Sequence, residues 1–298
     1  MKNLILLALL LAACSAAAQS LRVEYLEGEV LLGAGGGWKE LNPGDQVPQT
    51  ARIRLGDDSF VELSQGAARL SVSQPGTYLV SSLVAASKKV ASWQLGQVVG
   101  GKIRTAVAGR KGASEGTAAG VRAERAGEPD ALSWVEEVEP TETQKSLYQG
   151  RTLLEQGRYD EAVGVFQEAL PAAAEFDRDE VRYYLALTYS LQHLPSKALG
   201  ELEQVKIEPQ TAMYRELVLL KVQLLLESLA FDAALALFDG QLAQNPGDEF
   251  RQALWILSSF SYRGLGRNAQ AREALQKAVQ LDAASELGQE ARGLLSQL

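Results

Sequence analysis

The sequence predicts two domains of different class, an antiparallel all-β domain followed by an all-α superhelix of short repeats. Three observations carry this. Ala162, Ala198, Ala234 and Ala271 stand 36, 36 and 37 residues apart, each inside a helical pattern of apolar positions. Residues 21–80 instead alternate apolar and polar side chains between turn-forming clusters, which is the period of half-buried strands. The length of 298 residues leaves room for two domains.

Residues 1–19 read as a signal peptide and are set aside from the fold. Lys2 precedes an apolar run, Leu4–Ala13, that is too short to span a bilayer, which takes about 20 residues. The run ends Leu11-Ala12-Ala13-Cys14-Ser15. This resembles a bacterial lipobox, and the resemblance implies that Cys14 is lipidated and becomes the mature N-terminus. Such a chain is held on a membrane surface without crossing it. The alternative is cleavage after Ala16-Ala17-Ala18, with Cys14 removed. Both readings predict export, and the first predicts a periplasmic protein anchored to the outer membrane. Cys14 is the only cysteine, so no disulfide is available and the core must be held by burial.

The β domain is predicted over 20–125. Leu21 to Leu32 alternates as one strand, and Arg52–Leu55, Ser59–Leu63 and Ala68–Val72 repeat the pattern. Gly35-Gly36-Gly37, Asn42-Pro43-Gly44-Asp45, Gly56-Asp57-Asp58 and Pro75-Gly76 supply the turns between them. Val90–Ile103 reads as a further strand pair around Trp93, Leu95, Val98, Val99 and Ile103. The pieces Gly28-Glu29-Val30, Trp38-Lys39-Glu40-Leu41, Pro43-Gly44-Asp45, Ala51 to Gly56, Ser59 to Leu63 and Pro75-Gly76-Thr77-Tyr78 come in the order of a FecR-type domain. The resemblance implies an exported bacterial envelope domain, in some members a signalling one. Family members often end in Gly-Val-Arg-Gly, whereas here Gly120-Val121-Arg122 is followed by Ala123. A β-sandwich of another family is the alternative.

Arg104–Gly120 is rich in Gly, Ala and Ser, with Lys102, Arg104, Arg110 and Lys111 close together. It reads as a solvated loop, or as one that meets an anionic lipid or glycan surface. Residues 126–142 form the linker, in which Trp134 and Val135 are expected to pack on one of the domains.

From 143 to 298 the period is helical. Four residues after each repeated alanine comes a large apolar side chain, Phe166, Leu202, Phe238 or Leu275. Three further on stand Ala169, Val205, Gln241 and Ala278, of which only Gln241 is not small or apolar. A fixed interval of this size marks stacked helical hairpins, none able to bury its apolar face alone. The pattern resembles the tetratricopeptide repeat. Its small first-helix position is met by Gly150 and Ala186, then by Val222 and Ser259. The first-helix aromatic is present as Tyr189 and Tyr262, and the turn glycine as Gly157 and Gly266. Four degenerate repeats over 143–285 and a capping helix over 286–298 are expected. The resemblance implies a concave groove lined by the first helices, which would present Arg151, Tyr183, Glu216, Gln223, Phe260 and Arg263. Guanidinium, amide and aromatic groups of this kind suit an extended peptide or a partner helix. Tyr183 and Phe260 read equally well as core between helices.

Chemistry is hard to find in this chain. The single histidine, His193, falls at a repeat turn beside Pro195, where a catalytic triad has neither cleft nor nucleophile elbow. With Cys14 acylated or lost, a Cys/His zinc site would have His193 alone and not the three or four ligands it needs. Gly33 to Gly37 lacks the Gly-Lys-Ser/Thr ending of a phosphate loop, and Asp57-Asp58 lacks the spaced oxygens of a calcium loop. The carboxylates are plentiful but nothing selects a hydrolytic pair. The expectation is a protein that is not an enzyme and takes no metal or cofactor.

Charge narrows the partners. Residues 141–298 carry 15 basic against 22 acidic side chains, and 20–140 carry 13 against 15. An acidic repeat domain without a basic stripe is a poor nucleic-acid binder, because that affinity comes from neutralising phosphates. The expected function is a cell-envelope adaptor whose groove binds a protein partner. Peptidoglycan or glycan binding by the β domain is the first alternative, for which an exposed aromatic around Trp38 or Trp93 would speak. An envelope signalling component is the second, disfavoured by the lack of a transmembrane helix after the signal segment.

Overall fold

The structure, a computed structural model, describes residues 20–34, 36–57, 59–66, 68–92, 140–207, 209, 211–244 and 247–298. The signal peptide with Cys14, the region 93–139 with Trp93, Trp134 and the basic loop, and Asp58 lie outside the described residues.

Eight strands build the N-terminal half: β1 (Ser20–Glu27), β2 (Val30–Ala34), β3 (Gly37–Glu40), β4 (Gln46–Pro48), β5 (Arg52–Leu55), β6 (Phe60–Gln65), β7 (Ala68–Val72) and β8 (Gly76–Leu79). They form two antiparallel sheets, in the orders β4-β1-β6-β7 and β3-β2-β5-β8. Leu21, Val23, Val47, Val61, Leu63, Leu70 and Val72 are buried from the first sheet, and Val30, Ile53 and Leu55 from the second. The alternation read from the sequence holds at the start of β1 and along β5, whereas β6 buries Phe60, Val61, Glu62 and Leu63 in succession and β7 buries Leu70, Ser71 and Val72.

The single strand expected over 21–32 is instead two strands in different sheets. Gly28 breaks it with φ +71°, a left-handed conformation that glycine adopts without steric cost. A Cβ there would sit 2.5 Å from Ser59 Oγ, which also accepts the Glu29 N–H at 2.9 Å. The strand expected to begin at Val90 is also corrected. Val80–Ser92 is a helix, α1, with Val80, Leu83 and Val90 buried along one side. Spacings of three and seven fit a helix and not a strand.

The second half is helical: α2 (Glu142–Glu155), α3 (Tyr159–Ala169), α4 (Glu175–Leu191), α5 (Pro195–Glu203), α6 (Ala212–Glu227), α7 (Phe231–Ala243), α8 (Asp248–Gly264), α9 (Asn268–Leu281) and α10 (Glu286–Leu295). The repeated alanines 162, 198, 234 and 271 are all fully buried, as are Phe166, Phe238 and Leu275, with Leu202 close behind.

One turn joins the two helices of every hairpin. Gly157, His193, Leu229 and Gly266 have φ of 72°, 58°, 56° and 72°, at the same repeat interval as the alanines. The next residue's N–H reaches back five residues each time, Arg158 to Leu153, Leu194 to Tyr189, Ala230 to Leu225 and Arg267 to Tyr262, at 2.8 to 2.9 Å. This is the Schellman closure of a helix end. The sequence shows it at two glycines, and the backbone repeats it at all four hairpins.

The chain divides into two compact units, residues 1–103 with 218–298, and residues 104–217. In the second, Phe166 packs against Gly150 and stacks on Tyr184 with centroids 5.9 Å apart and planes at 17°. In the first, the β half touches the last repeats directly. Gln74 Nε2 donates to Asp232 Oδ2 at 3.0 Å, and Lys89 Nζ donates to the carbonyl of Arg263 at 3.2 Å.

Candidate functional site

Helices α2, α4 and the start of α6 bring together three of the six groove residues in the unit spanning 104–217. Arg151 comes from α2, Tyr183 from α4 and Glu216 from α6. The Tyr183 hydroxyl donates to Glu216 Oε2 at 3.2 Å. Its ring meets Tyr184 edge-on, with centroids 5.3 Å apart. The Arg151 guanidinium stands over the Tyr184 ring at 5.5 Å. Tyr183 is only 5% exposed, so it forms the floor of this surface and not its rim.

Two residues of the cluster were not singled out from the sequence, Glu180 and Tyr184. Glu180 lies 36 residues before Glu216, so the two carboxylates occupy the same repeat position. Burial pushes the Glu180 carboxyl above the ordinary carboxylate range, with Arg151 opposing the shift and Asp177 adding to it. Burial also raises the Tyr184 hydroxyl, against Arg151 and with Glu180 and Glu216. The same guanidinium and carboxylates thus act on one aromatic floor. Repeat spacing was the signal available for Glu180, because Glu216 was already a candidate. Tyr184 had none, since a neighbouring residue on a helix points elsewhere in most settings.

The other three candidates fall in the other unit. Gln223 donates to Glu227 Oε1 at 2.8 Å along α6. Phe260 is fully buried, with the Arg263 guanidinium 5.9 Å from its ring. Burial lowers the Arg263 pKa. Phe260 therefore stands in the core that supports Arg263.

Chemically, the Glu180–Glu216 surface offers carboxylates and one guanidinium over tyrosine rings. Arg182, on the same helix as Glu180, is already paired with Glu201 at 2.7 Å. Among the described residues no group of three or more His, Cys, Asp or Glu could hold a metal ion. None of the described helices is long and apolar enough to cross a membrane. His193 is exposed at its turn.

Residues 253–285, covering α8 and α9, match the family model of the tetratricopeptide repeat. No curated protein matches the chain. Among solved structures, a MamA RS-1 double mutant is similar at 19% identity and TM-score 0.44, over 54% of this chain and 84% of its own. MamA 41-end from Desulfovibrio magneticus RS-1 is similar at 18% and 0.42, over 54% and 94%. YrrB, described as a TPR protein with an unusual peptide-binding site, is similar at 21% and 0.41, over 51% and 75%. The chain thus carries an antiparallel β half of two sheets and a helical half in which residues 253–285 match the tetratricopeptide repeat.

Proposed function

We propose that the protein is a non-catalytic interaction scaffold whose repeats hold a cationic segment of a protein partner. The observation that carries this is the pair Glu180 and Glu216, one repeat apart beside the Tyr183 and Tyr184 rings. Two carboxylates at one repeat interval suit two basic side chains of an extended or helical segment, and the tyrosines supply apolar contact beneath them. Arg151 orients Tyr184 and tempers the field, leaving the surface acidic on balance. In the other unit, Gln223 and Arg263 are the proposed partner contacts and Phe260 their support.

We also propose that the protein is exported through residues 1–19 and held at the outer membrane by a lipid on Cys14. The β half, of FecR type by its motif order, belongs to the same envelope setting.

A displayed random-peptide library selected against the full chain tests the groove. Enrichment of Lys- and Arg-bearing peptides is expected, with binding weakened about tenfold or more in Glu180→Gln/Glu216→Gln. Peptides that keep their affinity for that double variant would sink the assignment. Labelling with radioactive palmitate tests the anchor: the label should be lost in Cys14→Ala, and an unlabelled wild-type chain would refute it.

A further inference from the structure

The sheet β3-β2-β5-β8 presents one face that the repeats do not explain. Its register pairs Gly33 with Trp38, Arg54 with Leu31 and Thr77, and Arg52 with Leu79. Ile53 and Leu55 point to the core, so Arg52 and Arg54 stand on the opposite, open side. Trp38 is 43% exposed and Leu79 41%. The Arg54 guanidinium lies 4.9 Å from the Trp38 ring. A Cβ at Gly33 would come 3.5 Å from Trp38 Cζ3 and 3.6 Å from Arg52 Cβ, so the indole reaches across β2 toward β5. Gly33 leaves the ring its place.

Neither arginine has a carboxylate partner among the described residues. Alternate residues on a strand are about 6.6 Å apart, so two guanidiniums without a carboxylate partner, Arg54 over the indole and Arg52 two residues before it on the same face, lie within the length of a sugar unit or two. Guanidinium binds carboxylate through two parallel hydrogen bonds and stays charged at any physiological pH. The indole face attracts the polarised C–H groups of a saturated ring through its quadrupole. A neutral sugar would leave both charges unused. A single-stranded nucleic acid would need a longer basic track, and Glu40 stands on the same face one register step from Trp38.

We propose that this face binds a carboxylate-bearing saccharide, with a sugar ring against Trp38 and carboxylates on Arg52 and Arg54. The site is separate from the peptide surface of the repeats and stands or falls apart from it.

Calorimetric titration of the full chain tests it. The probes are a six-ring oligogalacturonate, a six-ring N-acetylglucosamine oligomer and a six-base single-stranded DNA. The uronate should bind at least about tenfold more tightly than the other two, since charge-assisted pairs and stacking each contribute on this scale. Trp38→Ala and Arg52→Gln/Arg54→Gln should each weaken it about tenfold or more. Lys39→Gln, an exposed cation on the other side of the same strand, should leave it unchanged. Circular dichroism of each variant keeps loss of fold apart from loss of site, and the exposed arginine pair carries the test if Trp38→Ala is unstable. No uronate binding, equal losses in Lys39→Gln, or tighter DNA binding would overturn the proposal.

Discussion

Gly150 lies against the ring of Phe166 so closely that a Cβ on Gly150 would overlap two of its ring carbons. Phe166 is fully buried and has Tyr184 stacked on it, so it has nowhere to retreat. Gly150→Ala gains about 1 kcal/mol of helix propensity but overpacks a core contact, which costs about 1 to 3 kcal/mol. The expected result is a net loss of stability, read as a lower urea midpoint with an unchanged slope. Gly264→Ala should do the same against the Phe231 ring.

His193 is exposed and left-handed, where Gly157 and Gly266 hold the same turn in other repeats. His193→Gly should stabilise the protein by up to about 1 kcal/mol, because the left-handed conformation costs a residue with a Cβ about 1 to 2 kcal/mol and glycine gives back part in unfolded-state entropy. Gly157→Ala should lose a similar amount. Thermal unfolding of the two variants checks both, and opposite shifts in Tm are required.

Gln252 is buried and fully engaged. Its Nε2 donates to the carbonyls of Ala278 and Asp282 at 2.8 and 2.7 Å, and its Oε1 accepts from Ser285 Oγ at 2.8 Å. Ser285 in turn caps α10 by accepting the Gly288 N–H at 3.0 Å. Gln252→Leu keeps the bulk and strands these partners, at about 1 to 3 kcal/mol for each buried group left unpaired. Hydrogen exchange should show α10 opening before the rest of the helical half.

Glu180 couples stability to pH. Its folded carboxyl is raised by burial, so the associated stabilisation is complete below the ordinary carboxylate range and is lost as pH rises through the folded value. At neutral pH the ionised carboxylate therefore weighs against the fold. Glu180→Gln should be more stable than the parent at neutral pH, and the advantage should vanish as the pH falls below the ordinary carboxylate range. The same variant should bind basic peptides more weakly, a gain in stability at a cost in function. Denaturation and peptide binding measured on one preparation across that pH range decide it.

Much of the fold was legible because burial repeats. Ala162, Ala198, Ala234 and Ala271 are fully buried in equivalent places, so each position carries the same restriction to a small side chain. Strand β5 was legible for the same reason at period two, whereas β6 and β7 bury consecutive residues and were legible from their apolar content and flanking turns. Gly28 was read as part of a strand because the flanking pattern runs on through it, and the break shows in its left-handed φ and in the strands on either side joining different sheets. Helix α1 was missed because its three buried positions are spread over eleven residues among serines and lysines. Position within the repeat singled out Arg151, Tyr183 and Glu216, which the fold brings close together, but not Tyr184 among them.

By itself, then, the sequence determined the two classes of structure, the repeat interval and the small residues that let the helices approach. These are local or periodic demands, and each leaves its mark on the residue that meets it. Tertiary structure decided the rest. It set His193 and Leu229 in a turn that favours glycine, buried Phe260, and assembled Glu180, Tyr184 and Glu216 into one acidic surface over tyrosine rings. Those outcomes depend on which side chains from different repeats come within a few ångströms, and no single stretch of chain records that.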